Sequence, residues 1–387
     1  MLNFNYSVPT KILFGKHKID LLAENIKEYG SKVLLVYGGG SIKRNGIYDT
    51  IIDIFAKNNI SSWELGGVKP NPRIASVKEG IKICKKQEID LILAVGGGST
   101  IDCAKVIGAG FYHSGDPWEI VTDSRKIEDS LPIATVLTLA ATGSEMNAGA
   151  VITNLETQEK LGTGHPSMAP KFSILDPTYT FTVPEKQTAA GTADIMSHIF
   201  EVYFSKTKGA YVQNRMAESL LKTAINYGTT ALAEPENYEA RANLMWTASL
   251  AINGLLSSGK ETEWSVHAME HELSAFYDIT HGTGLAILTP YWMEYALNDD
   301  TLDKFVEYGV NVWETDSEQD KYKIAQTAIE KTREYFSSLG IPTKLSEVGI
   351  EAEKLEKMAE QATRRGELGN FKPLSKEDVS NIYQKAL

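Results

Sequence analysis

The sequence predicts an α/β first half built on a mainly parallel sheet, followed by an all-α second half. Three observations predict it. Strand-like apolar runs alternate with helical patterns from residue 32 to about 176; two of those runs end in three glycines and a serine; and beyond Pro184 only helical spacing is found. A chain of 387 residues exceeds the usual size of one hydrophobic core, so two domains are expected, at 1–183 and 184–387.

The clearest strands are residues 33–37, 62–65, 91–95 and 133–137, all but the second rich in Val, Ile and Leu. The first and third run into Gly38-Gly39-Gly40-Ser41 and Gly96-Gly97-Gly98-Ser99. In open parallel sheets ligands bind beyond the carboxyl ends of strands, so a crevice belongs at these loops. Residues 100–108 read as the helix that follows the second loop. In the second half, helical periodicity covers 185–204, 238–252, 322–338 and 352–363. Pro184, with fixed φ and no N–H, marks the boundary, and Ser375 with Asp378 starts a final helix.

Composition narrows the partners. Thirty-nine basic against 50 acidic residues give a net charge of −11, which repels nucleic acid and anionic membrane and favours a small-molecule substrate. The two cysteines, Cys84 and Cys103, lie in apolar helix-like stretches without a CxxC pair. Buried reduced thiols and a cytoplasmic protein are expected. Residues 1–15 lack the basic and apolar regions of a secretory signal, and no apolar run nears the roughly 20 residues a membrane span needs, so a soluble protein is expected.

The second glycine loop lies between a buried strand and a helix start, where bare N–H groups and the helix N-terminus can close on a diphosphate. Ser99 adds a hydroxyl donor. A simple tight turn needs the same glycines; the position after a buried strand favours phosphate. Gly108 and Gly110 lack a third glycine, so that GxG pair is set aside. The first loop holds no carboxylate for a ribose 2′-hydroxyl. Small Gly39 and Gly40 with Ser41, then Lys43 and Arg44, leave room and positive charge for a 2′-phosphate, so NADP(H) is favoured over NAD(H).

Asp194 and His198 stand four apart in a helical stretch and project from one face. His267 and His271 repeat that spacing. His281 follows in His281-Gly282-Thr283-Gly284, read as a turn whose lack of bulk admits a ligand. Histidines with one carboxylate suit a borderline divalent ion such as Fe(II) or Zn(II), and spacing leaves open whether His267 or His271 completes the set.

At these residues the sequence resembles the iron-containing alcohol dehydrogenases, in particular their NADPH-linked butanol dehydrogenase and broad-range aldehyde reductase branch, nearly end to end. One signature is matched by Ile174-Leu175-Asp176, Pro184, Ala189-Ala190-Gly191, Asp194-Ile195-Met196 and Glu201. The other is matched by Trp264, His267, His271, Ser274-Ala275 and His281-Gly282-Thr283-Gly284. The resemblance implies a Rossmann-like first domain in a dehydroquinate synthase-like architecture. It implies Asp194, His198, His267 and His281 as ligands of one divalent metal, Fe2+ in most members and Zn2+ in some, and His271 as a proton-relay group beside the nicotinamide. It also implies cofactor contacts from Gly39, Ser41, Gly97, Gly98, Ser99, Asp102, Thr138, Thr142, Asn147 and Lys160, and a homodimer.

Without the resemblance, residues 138–147 read as a polar loop after a strand and Lys160 as a turn lysine. The implied activity interconverts primary alcohols and aldehydes by hydride transfer with NADP(H) or NAD(H). A glycerol-type polyol dehydrogenase is an alternative. So is a non-redox lyase resembling dehydroquinate synthase, which needs a basic pocket; the apolar neighbours Trp264, Met269 and Phe276 disfavour it.

Overall fold

Uninterrupted Val, Ile and Leu runs make strands buried on both faces, which pair in parallel beneath covering helices. The computed structural model describes residues 1–387. Its strands are β1 (Lys11–Phe14), β2 (Lys32–Tyr37), β3 (Ser61–Leu65), β4 (Leu91–Gly96), β5 (Ile133–Leu137), β6 (Gly149–Asn154), β7 (Glu159–Gly164) and β8 (Phe172–Leu175). Six form one sheet in the order β1-β8-β5-β4-β2-β3, every pair parallel. The central strands β2, β4 and β5 are the apolar runs seen in the sequence. β1 and β8, only four residues each, were too short to stand out; in β8 Ser173 breaks the apolar run and donates its hydroxyl to Glu145 O at 2.7 Å.

The sheet helices are α1 (Leu22–Lys27), α2 (Ser41–Arg44), α3 (Ile47–Asn58), α4 (Ile74–Gln87), α5 (Gly98–Tyr112) and α6 (Trp118–Thr122). From β2 the chain passes to β3 on one flank and then to β4 on the other, so strand order reverses between β2 and β4. Tyr37 pairs with Val95 there, which sets the two glycine loops side by side at the carboxyl ends of neighbouring strands. Such a reversal point is where open α/β sheets bind ligands.

Strands β6 and β7 form a separate antiparallel hairpin, with Lys160 opposite Thr153. Lys160 is therefore a buried strand residue rather than a turn lysine. Gly108 and Gly110 lie inside α5 as packing glycines: a Cβ on either would come within 2.5 Å and 2.4 Å of Ser130 Oγ and Ile81 Cδ1. Cys84 on α4 and Cys103 on α5 are buried free thiols, each pushed up to about 12 by burial.

Residues 184–387 carry only helices: α7 (Glu185–Tyr203), α8 (Tyr211–Ala233), α9 (Tyr238–Ala251), α10 (Ser265–Tyr277), α11 (His281–Ala296), α12 (Leu302–Trp313), α13 (Lys321–Ser338), α14 (Leu355–Ala362) and α15 (Lys376–Ala386). Ser375 and Asp378 form a reciprocal capping box at the start of α15. By contact density the chain divides into Ser7–Val183 and a second unit, Pro184–Leu387 joined by Met1–Tyr6. Residues 1–6, expected with the sheet, instead pack on the helices. Leu2 N donates to Gly259 O at 2.8 Å, and Gln213 Nε2 approaches Met1 Sδ at 3.5 Å. No helix is long and apolar enough to cross a membrane.

Candidate active site

In the sheet unit, β4 ends at Gly96 and α5 begins two residues later, without a side-chain cap or an acidic residue in its first turn. Its leading N–H groups and partial positive charge are thus left for an anion. The glycines here are steric requirements. A Cβ on Gly98 would sit 2.3 Å from Thr142 Oγ1, and one on Gly97 would sit 3.1 Å from Leu139 Cβ. Ser99 and Thr142 are half-buried at this rim, and Thr138 N donates to Gly96 O at 3.0 Å, stitching the β5 loop to the β4 loop. Across the reversal point, Gly39 and Ser41 are exposed, and a Cβ on Gly39 would meet nothing.

Three predicted contacts of this unit stand behind the rim. Both Asp102 oxygens are engaged, by Ser144 Oγ at 2.6 Å and Val151 N at 2.9 Å. Asn147 Oδ1 accepts from Lys105 Nζ at 3.0 Å and Gly149 N at 2.9 Å, while its amide donates to Gly143 O at 3.0 Å. The buried Lys105 also reaches Ser144 Oγ and Gly149 O. Burial pushes Lys105 down to about 8 and raises Asp102, whose charge is also favoured by Lys105 and Lys160 nearby. Sequence reasoning missed Lys105, although a lysine among the apolar residues of α5 was a visible signal.

In the helical unit, Asp194 and His198 lie on α7, of which residues 188–203 are buried throughout. His267 and His271 lie on α10, and His281 is the first residue of α11. The Gly-rich stretch after His281 is therefore a helix turn, not a loop. A Cβ on Gly282 would lie 2.0 Å from Ala190 O, so that glycine lets α11 press against α7 rather than admitting a ligand.

One donor atom each from Asp194, His267 and His281 falls within a 4.8 Å group. His198 Nδ1 lies 3.5 Å from Asp194 Oδ1, its ring stacked on His267 with centroids 4.7 Å apart. Burial, with His267 and His281 beside it, holds His198 well below the usual imidazole range, so it is a neutral lone-pair donor.

Two buried carboxylates fix the other rings. Glu201 accepts from Trp264 N at 2.5 Å, His267 N at 3.0 Å and the His267 Nδ1 position at 2.8 Å, placing a negative charge at the N-terminus of α10. With Nδ1 so occupied, the buried His267 Nε2 has no hydrogen-bond partner in the protein. Glu270 does the same for His281 through its Nδ1, leaving His281 Nε2 at 3.8 Å from Asp194 Oδ1. A carboxylate behind a histidine is the usual support of a metal ligand, so the donor set fits a divalent cation. Neither Glu201 nor Glu270 was given a role from sequence; their signal was three-residue spacing after His198 and His267.

A second donor group joins Glu270, His271 and His281. Glu270 contacts His281 and Ser274, and the half-buried His271 stands beside the cluster, its ring 5.7 Å from that of His281. Of the three apolar neighbours predicted, Trp264 lies against the cluster, 5.0 Å from the His267 ring. Met269 is core, and Phe276 packs under Lys354 and Lys357.

Family models agree with both units. Residues 9–177 match the iron-containing alcohol dehydrogenase model, and residues 188–387 match the C-terminal model of the Fe-containing alcohol dehydrogenase family. The chain is 64% identical over the full length of both proteins to NADH-dependent butanol dehydrogenase A of Clostridium acetobutylicum. It is 39% identical, again over all of both, to the NADPH-dependent aldehyde reductase YqhD of Escherichia coli. Among solved structures, an NADH-dependent butanol dehydrogenase A from Thermotoga maritima superimposes with a TM-score of 0.96 at 39% identity, covering 100% of this chain and 99% of that one. With both units matched end to end, the chain belongs to the iron-containing alcohol dehydrogenases and is an oxidoreductase acting on alcohols and aldehydes.

Proposed function

We propose that this enzyme interconverts short primary alcohols, butanol among them, and their aldehydes, with NADH as preferred carrier and NADPH accepted. The observation that carries it is the convergence of Asp194, His267 and His281 donors within one 4.8 Å group, His198 beside them, with buried carboxylates behind two of the rings. In this reading Asp194, His198, His267 and His281 hold one divalent ion, Fe2+ by family habit and Zn2+ as the alternative. Such an ion supplies Lewis acidity toward the substrate oxygen, and the nicotinamide supplies or takes the hydride.

The chain's own residues do the rest. Glu201 and Glu270 keep protons on the outer nitrogens of His267 and His281, so both rings present Nε2 inward. His271 moves the proton that leaves or reaches the substrate oxygen. Trp264 covers one side of the cluster against water. Gly97, Gly98 and Ser99 at the start of α5, with Thr138 and Thr142, grip the diphosphate; Gly39 and Ser41 take the adenosine ribose. Asp102, Asn147 and Lys160 hold those loops in shape.

The NADP(H) preference expected from sequence counted two cations, Lys43 and Arg44. NADH is preferred in this reading because Lys43 lies 3.7 Å from Glu64, and because the butanol dehydrogenase relatives are named NADH-dependent. A cytoplasmic homodimer completes the proposal on family resemblance, with light scattering as its check.

The deciding assay follows loss of reduced-nicotinamide absorbance with butanal and a series of short straight-chain aldehydes. Metal-stripped and Fe2+- or Zn2+-reloaded protein are compared, with both carriers. Turnover that needs metal and runs faster with NADH is expected; no oxidation of either carrier by the loaded protein would refute the reading.

A further inference from the structure

Glu64 is the penultimate residue of β3, paired in register with Leu35 of β2, so its side chain stands near the loop that leaves β2. Its two oxygens are spoken for. Tyr37 Oη donates to one at 2.7 Å, and Tyr48 Oη of α3 donates to the other at 2.5 Å. Lys43, two residues beyond Ser41, lies 3.7 Å from Glu64 Oε2. Its ammonium also rests 4.9 Å from the Tyr37 ring centroid and 4.3 Å from that of Tyr48. Two phenol faces and one carboxylate therefore bind this cation, and the pair contributes no net charge to the loop.

Arg44 differs. Its Nη1 would lie 3.9 Å from a Cβ on Gly40, against the loop itself, and the residue enters no ion pair. The loop thus offers one uncommitted cation where the sequence suggested two. Hydrogen bonding holds the Lys43 ammonium above its usual range, and the phenols with Lys43 hold the Glu64 carboxyl below its own, so the pair stays ionised at neutral pH.

We propose that Glu64 is a selectivity residue, keeping Lys43 away from the 2′-phosphate of NADP(H) and so tilting this enzyme toward NAD(H). The proposal rests on the dinucleotide reading of the Gly38–Ser41 loop. The ligand class it discriminates is a 2′-phosphorylated against an unphosphorylated adenosine ribose. In Glu64→Gln the side-chain shape and one acceptor remain while the charge is lost, so Lys43 is freed toward a dianion a few ångströms away.

The test is calorimetric titration of the full chain with ADP-ribose and with 2′-phospho-ADP-ribose, which needs neither metal nor turnover. Glu64→Gln is expected to tighten the phosphorylated ligand by about five- to tenfold, as one unscreened charge near a surface phosphate would, and to leave ADP-ribose within about twofold. The gain should vanish in Glu64→Gln with Lys43→Met and shrink at high ionic strength, while Lys43→Met alone changes little. An unchanged ratio in Glu64→Gln, a gain that survives loss of Lys43, or an equal weakening of both ligands overturns the proposal while the dinucleotide reading stands. If the unsubstituted chain binds neither ligand, that reading falls and this inference with it.

Discussion

The two units offer opposite electrostatic environments made of opposite materials. The sheet unit offers backbone that suits an anion: bare N–H groups at the start of α5 and glycines that a Cβ would block. The helical unit gathers side chains whose chemistry suits a cation: three imidazoles and a carboxylate on α7, α10 and α11, two of the rings hydrogen-bonded to Glu201 and Glu270. The difference teaches where damage should fall. A side-chain site fails when one atom type is removed, whereas a backbone site fails when one atom is added.

The sharpest test of that contrast is Asp194→Ala. It should empty the cation site and lower kcat by about a thousandfold or more, given what a Lewis acid contributes to carbonyl polarisation. Metal analysis and rate are read together, and full activity without metal would break the comparison. Next in size, His271→Ala should slow turnover by about a hundredfold, the low end for general acid–base groups, with metal content intact. Loss of metal there would place His271 among the ligands. Glu201→Gln should weaken metal binding by about 10- to 100-fold in a chelator competition, as removal of such a supporting carboxylate does. The mildest change adds an atom: Gly98→Ala puts a methyl 2.3 Å from Thr142 Oγ1. Cofactor affinity measured by nicotinamide fluorescence should drop about tenfold, an amount typical of a misfitted ligand contact, with metal content unchanged.

The same contrast explains what could be read from sequence. Asp194, His198, His267 and His281 announce themselves because their chemistry resides in residue type, and helical spacing puts them on shared faces. Spacing alone could not choose between His267 and His271; what it could not show is that Glu201, three residues after His198, hydrogen-bonds the His267 ring across two helices. The long buried strands β2, β4 and β5 were legible as apolar runs. The reversal of strand order that brings the glycine loops together was not, because pairing between β2 and β4 is non-local. Gly282 was misjudged for a similar reason: its neighbour, Ala190, is distant in sequence, and only the packed helices reveal that the missing side chain serves helix contact. Lys43 was counted as a free charge because its partner Glu64 arrives from the next strand.

The six-residue N-terminal segment belongs to the helical unit, held at Gly259 and beside Gln213. Leu2 and Gly259, like Met1 and Gln213, stand more than two hundred residues apart, so the helical unit closes one of its seams with chain drawn from before the sheet. A fragment cut at Pro184 would therefore lack a strap that belongs to its own core. Contacts of such long sequence separation are slow to form, which makes the whole chain, rather than its helical part alone, the unit to produce.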